Sequence, residues 1–321
     1  MKVRYLTDPD ILEAGLQADN PVREIEEFYV RSEADQKNFR GIVSGKMACR
    51  EVMIAKRDGT QMRVCIYSPL ITPKQALPGI LFAHGGGFAC GIPEGCIPTF
   101  ERLMEWSPCV IVCPDYRLSV EAPFPAAIED CYEALLWLKD NMDNLSIRHD
   151  QIFLAGESAG GGLTASLALM ARDRGDVSIA FQMPLYPMLD NTMSTESMKD
   201  NDAIGWNEAQ NDLAWKLYLG ENHRSTEVSK YASALRETDY RKLPPFYSFV
   251  GSCDPFLDEM REYAGNLEKA GVEARYDIYE GGFHGFENLC PSSPIGTKAL
   301  LGLKKAYQYA VKNYFAKQKS C

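Results

Sequence analysis

The chain has 321 residues, enough for roughly one large domain or two of about 150 residues. It is 45% hydrophobic, 24% charged and 11% aromatic, which excludes a disordered or fibrous chain and fits a globular protein with a sizeable core. With 34 basic against 44 acidic residues the net charge is -10, a field that repels phosphate backbones, and no basic cluster offsets it, so nucleic acid is not an expected partner.

No apolar run approaches the roughly 18 residues of a membrane span. The opening MKVRYLTDPD is charged and polar where a signal peptide would be apolar. A cytoplasmic protein without a membrane partner is expected. The ten cysteines (Cys49, Cys65, Cys90, Cys96, Cys109, Cys113, Cys131, Cys253, Cys290 and Cys321) are scattered and form no CxxC pair, so they read as reduced thiols. Four histidines, no HExxH and no Cys/His set at zinc spacing argue against a metal site.

In chain order, residues 1–48 read as helical, with Asp10 before ILEAGLQA and Pro21 opening VREIEEFYV. EVMIAKRDGTQMRVCIYSP then reads as two strands around Asp58-Gly59, a hairpin signal. Apolar runs follow at 79–83, 109–113, 151–155, 178–183 and 246–250, separated by helical stretches such as 126–142 and 159–173. Buried runs alternating with helices predict a mostly parallel sheet covered on both faces, an α/β fold. Residues 186–225 break this rhythm with a polar stretch and a helix from about Asn207 to Leu219. An insertion of that length is usually a lid. With residues 1–48 it is read as a helical cap, leaving 49–185 and 226–321 as the core. Ile25, Phe28 and Tyr29 on one piece, with Trp206, Leu213 and Leu217 on the other, are the expected mutual contacts.

Gly156-Glu157-Ser158-Ala159-Gly160 matches G-x-S-x-G, a pattern that arises by chance roughly 0.1 times in a chain this long. Its context is what makes it specific. It follows the strand candidate QIFLA directly and opens an Ala/Gly/Leu-rich helix, as a nucleophile elbow requires. Such a turn forces the Ser158 hydroxyl outward, small neighbours let the helix pass close to the strand, and the helix N-terminus adds N–H groups and a positive dipole end. His84-Gly85-Gly86-Gly87 follows another strand candidate, and its glycines can expose free N–H groups for an oxyanion hole. No Gly-Lys-Ser/Thr and no G-x-G-x-x-G accompanies it, against nucleotide binding.

A serine nucleophile needs a base and an acid in the order Ser, acid, His. Beyond Ser158 only His223, in the polar GENHRST, and His284, in the Gly-flanked EGGFHGFE, remain, and the loop position favours His284. Asp254 stands four residues past Val250, at the end of the preceding strand, though it also suits a helix N-cap before Pro255. Asp258 and Glu259 read as the first turn of that helix.

HGGGFACG, DYRLSVEAPFPAAIED, GESAGGG, DPFLDE and HGF, in that order, resemble the hormone-sensitive-lipase family of α/β-hydrolase esterases over residues 79–290. The resemblance implies the α/β-hydrolase fold, with an eight-stranded sheet and a helical cap, and ester hydrolysis without a cofactor or metal. Carried over, it makes Ser158 the nucleophile, Asp254 the acid and His284 the base. The oxyanion donors would be the N–H groups of Gly86, Gly87 and Ala159, with His84, Gly85 and Glu157 supporting the loop. Glu157 replaces the family's usual Asp and Val120 a usual Pro, and the cap matches little beyond Trp206 and the helix ending in Tyr218-Leu219-Gly220. The expected partner is a small ester of a short acyl group, because the cap insertion is rich in Asp, Asn, Ser and Thr and lacks a large apolar entrance. The same triad would serve a deacetylase or amidase, and a receptor on this fold would lack the histidine. A homodimer is compatible with the sequence.

Overall fold

The computed structural model describes residues 2–71 and 73–318, so Cys321 lies outside the described residues. Two helices come first, α1 (Pro9–Ala18) and α2 (Ile25–Phe39). Asp8 caps α1 by accepting the Asp10 N–H, with Pro9 at the first helical position. The hairpin expected around Asp58-Gly59 is formed by β1 (Met47–Ala55) and β2 (Gln61–Pro69), with Gly59 at φ 84° in the turn. Strands and helices then alternate: β3 (Leu77–Ala83), α3 (Ile97–Trp106), β4 (Val110–Pro114), α4 (Ala126–Asp140), β5 (Ile147–Glu157), α5 (Ala159–Arg174) and β6 (Phe181–Leu185). After a long excursion carrying α6 (Glu208–Leu219) come β7 (Phe246–Gly251), α7 (Leu257–Lys269), β8 (Ala274–Tyr279), the single turn α8 (Phe286–Leu289) and α9 (Pro294–Asn313).

The sheet has eight strands among the described residues, in the order β1-β2-β4-β3-β5-β6-β7-β8. β2 runs antiparallel to β1 and β4, and every other pairing is parallel. β3, β4, β6 and β7 are buried along their whole length, which is why they read as uninterrupted apolar runs. One strand is displaced from its predicted place: the apolar run 178–183 enters the sheet only at Phe181 and continues to Leu185.

The register of the central strands decides where chemistry can occur. Ala83 pairs with Gly156 and Glu157 with Leu185, so the chain leaves β3, β5 and β6 side by side at one sheet edge. The glycine loop after β3 and the turn after β5 therefore meet without any long-range guidance. Gly251 pairs with Tyr279 at the ends of β7 and β8, which brings the two following loops to the same edge.

Candidate active site

Ser158 sits between β5 and α5 with φ 58° and ψ -121°, a left-handed conformation unusual for a residue with a side chain. Such strain persists only where the surroundings over-determine it. Here the Ser158 N–H donates to the Leu185 carbonyl at 3.0 Å, and the Ser158 carbonyl accepts from Gly162 (3.0 Å) and Met188 (3.1 Å). The flanking glycines make room. A Cβ on Gly160 would stand 2.1 Å from the Ala83 carbonyl oxygen, and one on Gly156 would stand 2.4 Å from the Gly160 oxygen. All of these neighbours are backbone and cannot turn aside. Gly160→Ala is therefore expected to cost on the order of 3 kcal/mol of stability. Gly265→Ala, in a helix with nothing within 4 Å of the added carbon, should instead gain about 0.5–1 kcal/mol. Thermal unfolding of the two variants checks both signs.

Three side chains that the sequence singled out from distant segments form one hydrogen-bonded line. Ser158 Oγ lies 2.8 Å from His284 Nε2, and His284 Nδ1 lies 2.7 Å from Asp254 Oδ2. Asp254 is 1% exposed, and its other oxygen accepts the Phe256 N–H at 2.9 Å within a turn; it is not the helix N-cap that its place before Pro255 suggested, because α7 begins only at Leu257, with Phe256 at the cap position. The His284 loop is held against the end of β7: Cys253 N–H donates to the Gly282 carbonyl at 3.0 Å, and a Cβ on Gly251 would lie 2.0 Å from that oxygen. Phe256 and Tyr186 stand edge-on to the imidazole, with ring centroids 5.1 and 5.0 Å away.

The rival candidates lie elsewhere. His223 pairs with Asp212 at 2.8 Å on the far end of α6. Asp258 accepts the Ser197 N–H at 2.8 Å and approaches Arg261. Glu259 is buried, accepts the Leu189 and Asp190 N–H groups, and pins the start of the excursion after β6.

Beside Ser158 the backbone N–H groups of Gly86, Gly87 and Ala159 donate to no acceptor among the described residues. Gly86 and Gly87 take φ 120° and 61°, conformations that turn the loop back on itself and that a side chain would strain. The Gly86 carbonyl accepts from Ala89 and Cys90, closing the loop, and a Cβ on Gly85 would touch Ser158 Cβ at 3.4 Å. His84 braces this loop. It is 1% exposed, stacks on Tyr116 with centroids 4.1 Å apart, and its Nδ1 lies 2.9 Å from the Gly85 carbonyl. Burial depresses its affinity for a proton, so it stands neutral and Nδ1 is the donor. Glu157 does not reach this loop with its side chain, which accepts the Thr99 hydroxyl at 2.7 Å on α3.

Helix α2 is strapped to the same loop. Asp35 accepts the Gly91 N–H at 2.9 Å, and Glu94 accepts the Gly41 N–H at 2.9 Å. From α6 and the segment before it, Trp206 lies over the loop. A Cβ on Gly87 would meet its indole at 2.5 Å, and its ring centroid is 6.3 Å from those of both His284 and Phe28. Tyr29, expected among the mutual contacts of the two cap pieces, points outward at 46% exposure. In this segment Val22 and Phe28 are buried and Ile25 is partly buried, and Tyr29 lies one helical step beyond Phe28.

Among the described residues, one group of ligand-type side chains exists away from this site. Atoms of Glu51, Cys65 and Glu94 lie within 4.8 Å of one another. Arg63 Nη1 already fills that space, 3.2 Å from Glu51, 3.2 Å from Cys65 Sγ and 2.8 Å from Glu94, so the cation there is a guanidinium.

A family model described as the alpha/beta hydrolase fold matches residues 80–288. Esterase LipI of Mycobacterium tuberculosis is 32% identical over 236 residues, covering 73% of this chain and 73% of the relative. Among solved structures, a bacterial heroin esterase superposes with a TM-score of 0.88 at 30% identity, covering 96% of this chain and 99% of the other. An esterase of Pyrobaculum calidifontis gives 0.80 at 31% identity, over 95% and 99%.

Proposed function

From a chain that belongs to the α/β-hydrolase family and is a carboxylic ester hydrolase, we propose a serine esterase acting on small esters of short acyl groups. The observation that carries the reading is the unbroken line from Asp254 through His284 to Ser158, beside three unclaimed N–H groups. Ser158 Oγ attacks the ester carbonyl as His284 Nε2 takes its proton. Asp254 fixes the tautomer with the proton on Nδ1 and stabilises the imidazolium. The carbonyl oxygen, now an anion, moves among the N–H groups of Gly86, Gly87 and Ala159, each such donor typically contributing about 3 kcal/mol in the transition state. His284 returns the proton to the departing alcohol, and water activated by the same imidazole releases the acid. No step calls on a cofactor.

The acyl preference is inferred from Trp206, whose indole closes the space above Gly87. Assay of p-nitrophenyl esters of graded chain length, beside matching anilides, tests it. Acetate and butyrate esters should be cleaved best, in a Ser158-dependent manner. A preference for long chains or for the anilides would overturn the reading.

Residues 1–48 and 186–225 are proposed to act as one lid. Asp202 accepts the Val3 and Arg4 N–H groups at 2.7 and 3.1 Å, Asp19 accepts from Gly205 at 3.1 Å, and Phe28 meets Trp206, all of which support it. Deleting residues 1–30 should uncover Trp206 and Phe283, promote aggregation and broaden the acyl profile, while Ser158 still reacts with a small organophosphate. Wild-type solubility and an unchanged profile would discard the lid.

A small-molecule ester is the proposed partner, and the cytoplasm the proposed compartment. All nine described cysteines are unpaired thiols, seven of them buried, which suits a reducing environment. Among the described residues no helix is long and apolar enough to cross a membrane.

A further inference from the structure

Behind His284 lies a group of polar side chains that the reaction described above leaves unused. Glu157 ends β5 and holds the Thr99 hydroxyl. Glu287 on α8 is 2% exposed; its Oε1 accepts the Tyr186 O–H at 2.8 Å, and its Oε2 meets no donor among the described residues. Both acids adjoin the same few residues: Glu157 pairs across the sheet with Leu185, next to Tyr186, and Asn288 joins Tyr186 to the helix that holds Glu157, its Nδ2 donating to Tyr186 Oη at 3.2 Å and its Oδ1 accepting Arg102 Nη1 at 2.7 Å. Tyr186 presents its ring edge to His284.

The charged and titratable groups facing the pair are Arg102 from α3, Cys96 just before it, Tyr186 after β6, Tyr279 at the end of β8, and His284. Arg102 is the one full cation among them, and its hydrogen bond goes to the Asn288 amide oxygen rather than to either acid. Two carboxylates in such a place repel each other and are poorly solvated. Burial raises the Glu157 carboxyl above its ordinary range, and burial together with the nearby Glu157 charge pushes Glu287 up to about 7.

We propose that Glu157 and Glu287 hold one proton between them and act as positioning residues, keeping a single negative charge behind His284 as its imidazolium forms. This rests on the reading of Ser158, His284 and Asp254 as the reacting line. A shared proton has a distinctive consequence. Removing either acid relieves the other of its neighbour, which then ionises, so the count of one charge is kept. Only removing both leaves the imidazolium without it.

The test uses p-nitrophenyl acetate pH–rate profiles of the full chain and of Glu157→Gln, Glu287→Gln and the double variant. Each single variant should lose about threefold in kcat/KM with its acid limb in place, while the double variant loses about thirtyfold, well beyond the product. Its acid limb should move down by roughly one pH unit, because the imidazolium has lost a nearby charge. Returning one acid to the double variant, as Glu157→Asp combined with Glu287→Gln, should restore the wild-type limb. Losses that merely multiply, with the acid limb fixed throughout, would overturn the shared charge.

Infrared difference spectroscopy decides the proton independently of how well the double variant folds. A protonated-carboxyl stretch should be present in the wild type near neutral pH and vanish in either single variant, and its absence from the wild type would overturn the proposal. Hydrolysis that survives Ser158→Ala would instead overturn the esterase reading of the site. Ser158-dependent hydrolysis with multiplying losses would sink the acid pair alone.

Discussion

Replacing Ser158 by alanine should lower ester turnover by about 10⁶-fold while leaving stability within about 0.5 kcal/mol of the wild type. The two halves of this expectation have separate physical origins. Stability is spared because the strained backbone at φ 58° is held by the carbonyls and N–H groups of Leu185, Gly162 and Met188, none of which involves the hydroxyl. Turnover collapses because, in the proposed mechanism, Oγ is the atom that becomes bonded to the acyl group, and among the described residues no other nucleophilic side chain is hydrogen-bonded to His284 Nε2. The three N–H donors remain, so a residue of catalysis over water should persist. A clean preparation retaining more than about one hundredth of wild-type turnover would remove Ser158 from its role. Melting curves recorded alongside the kinetics keep a folding defect from imitating the result.

Asp254→Asn should cost roughly 10⁴-fold, and the reason is visible in how the carboxylate is used. Its Oδ1 accepts the Phe256 N–H at 2.9 Å, and its Oδ2 faces His284 Nδ1 at 2.7 Å. An asparagine keeps its oxygen where the backbone donor demands it, so its NH₂ must face the imidazole. Nδ1 is then forced to accept, the ring proton moves to Nε2, and that nitrogen points an N–H at Ser158 instead of a lone pair. Steady-state kinetics across pH should show the loss wherever the wild-type imidazole is neutral. Asp258→Asn should be nearly silent, because that carboxylate serves Ser197 and Arg261. The opposite pattern, Asp258 costly and Asp254 silent, would reassign the acid.

Much of this was legible because the information is local. Strands such as 79–83 and 246–250 are short apolar runs between turn residues, and the Ser158 turn is spelled out by five consecutive residues with a strand before and a helix after. His284 and Asp254 could be named because few histidines remain after Ser158 and because strand ends limit where an acid can stand. What escaped is tertiary. No pattern reveals that Asp35 accepts from Gly91, that Glu259 serves two N–H groups of the excursion after β6, or that Glu287, Tyr186 and Asn288 assemble behind the imidazole. Each is a single polar residue in an otherwise ordinary helix or loop, and its partner is set only when elements far apart in the chain dock. Tyr29 was misread for the related reason that an amphipathic period fixes which residues share a face but not where that face ends.

The carboxylate of Asp35 on the Gly91 N–H, with Glu94 returning the tie to Gly41, has a bearing on how such a protein can be redesigned. The N-terminal segment, proposed as part of the lid, is fastened to the very loop proposed to receive the developing negative charge. Exchanging this segment for one from a relative, in the hope of importing its selectivity, would untie that loop unless the acid travels with the helix and the glycine stays to receive it. On that proposal, selectivity and rate are inherited as one block. Random variation at the contact should surface as lost kcat, even in residues that never touch an ester.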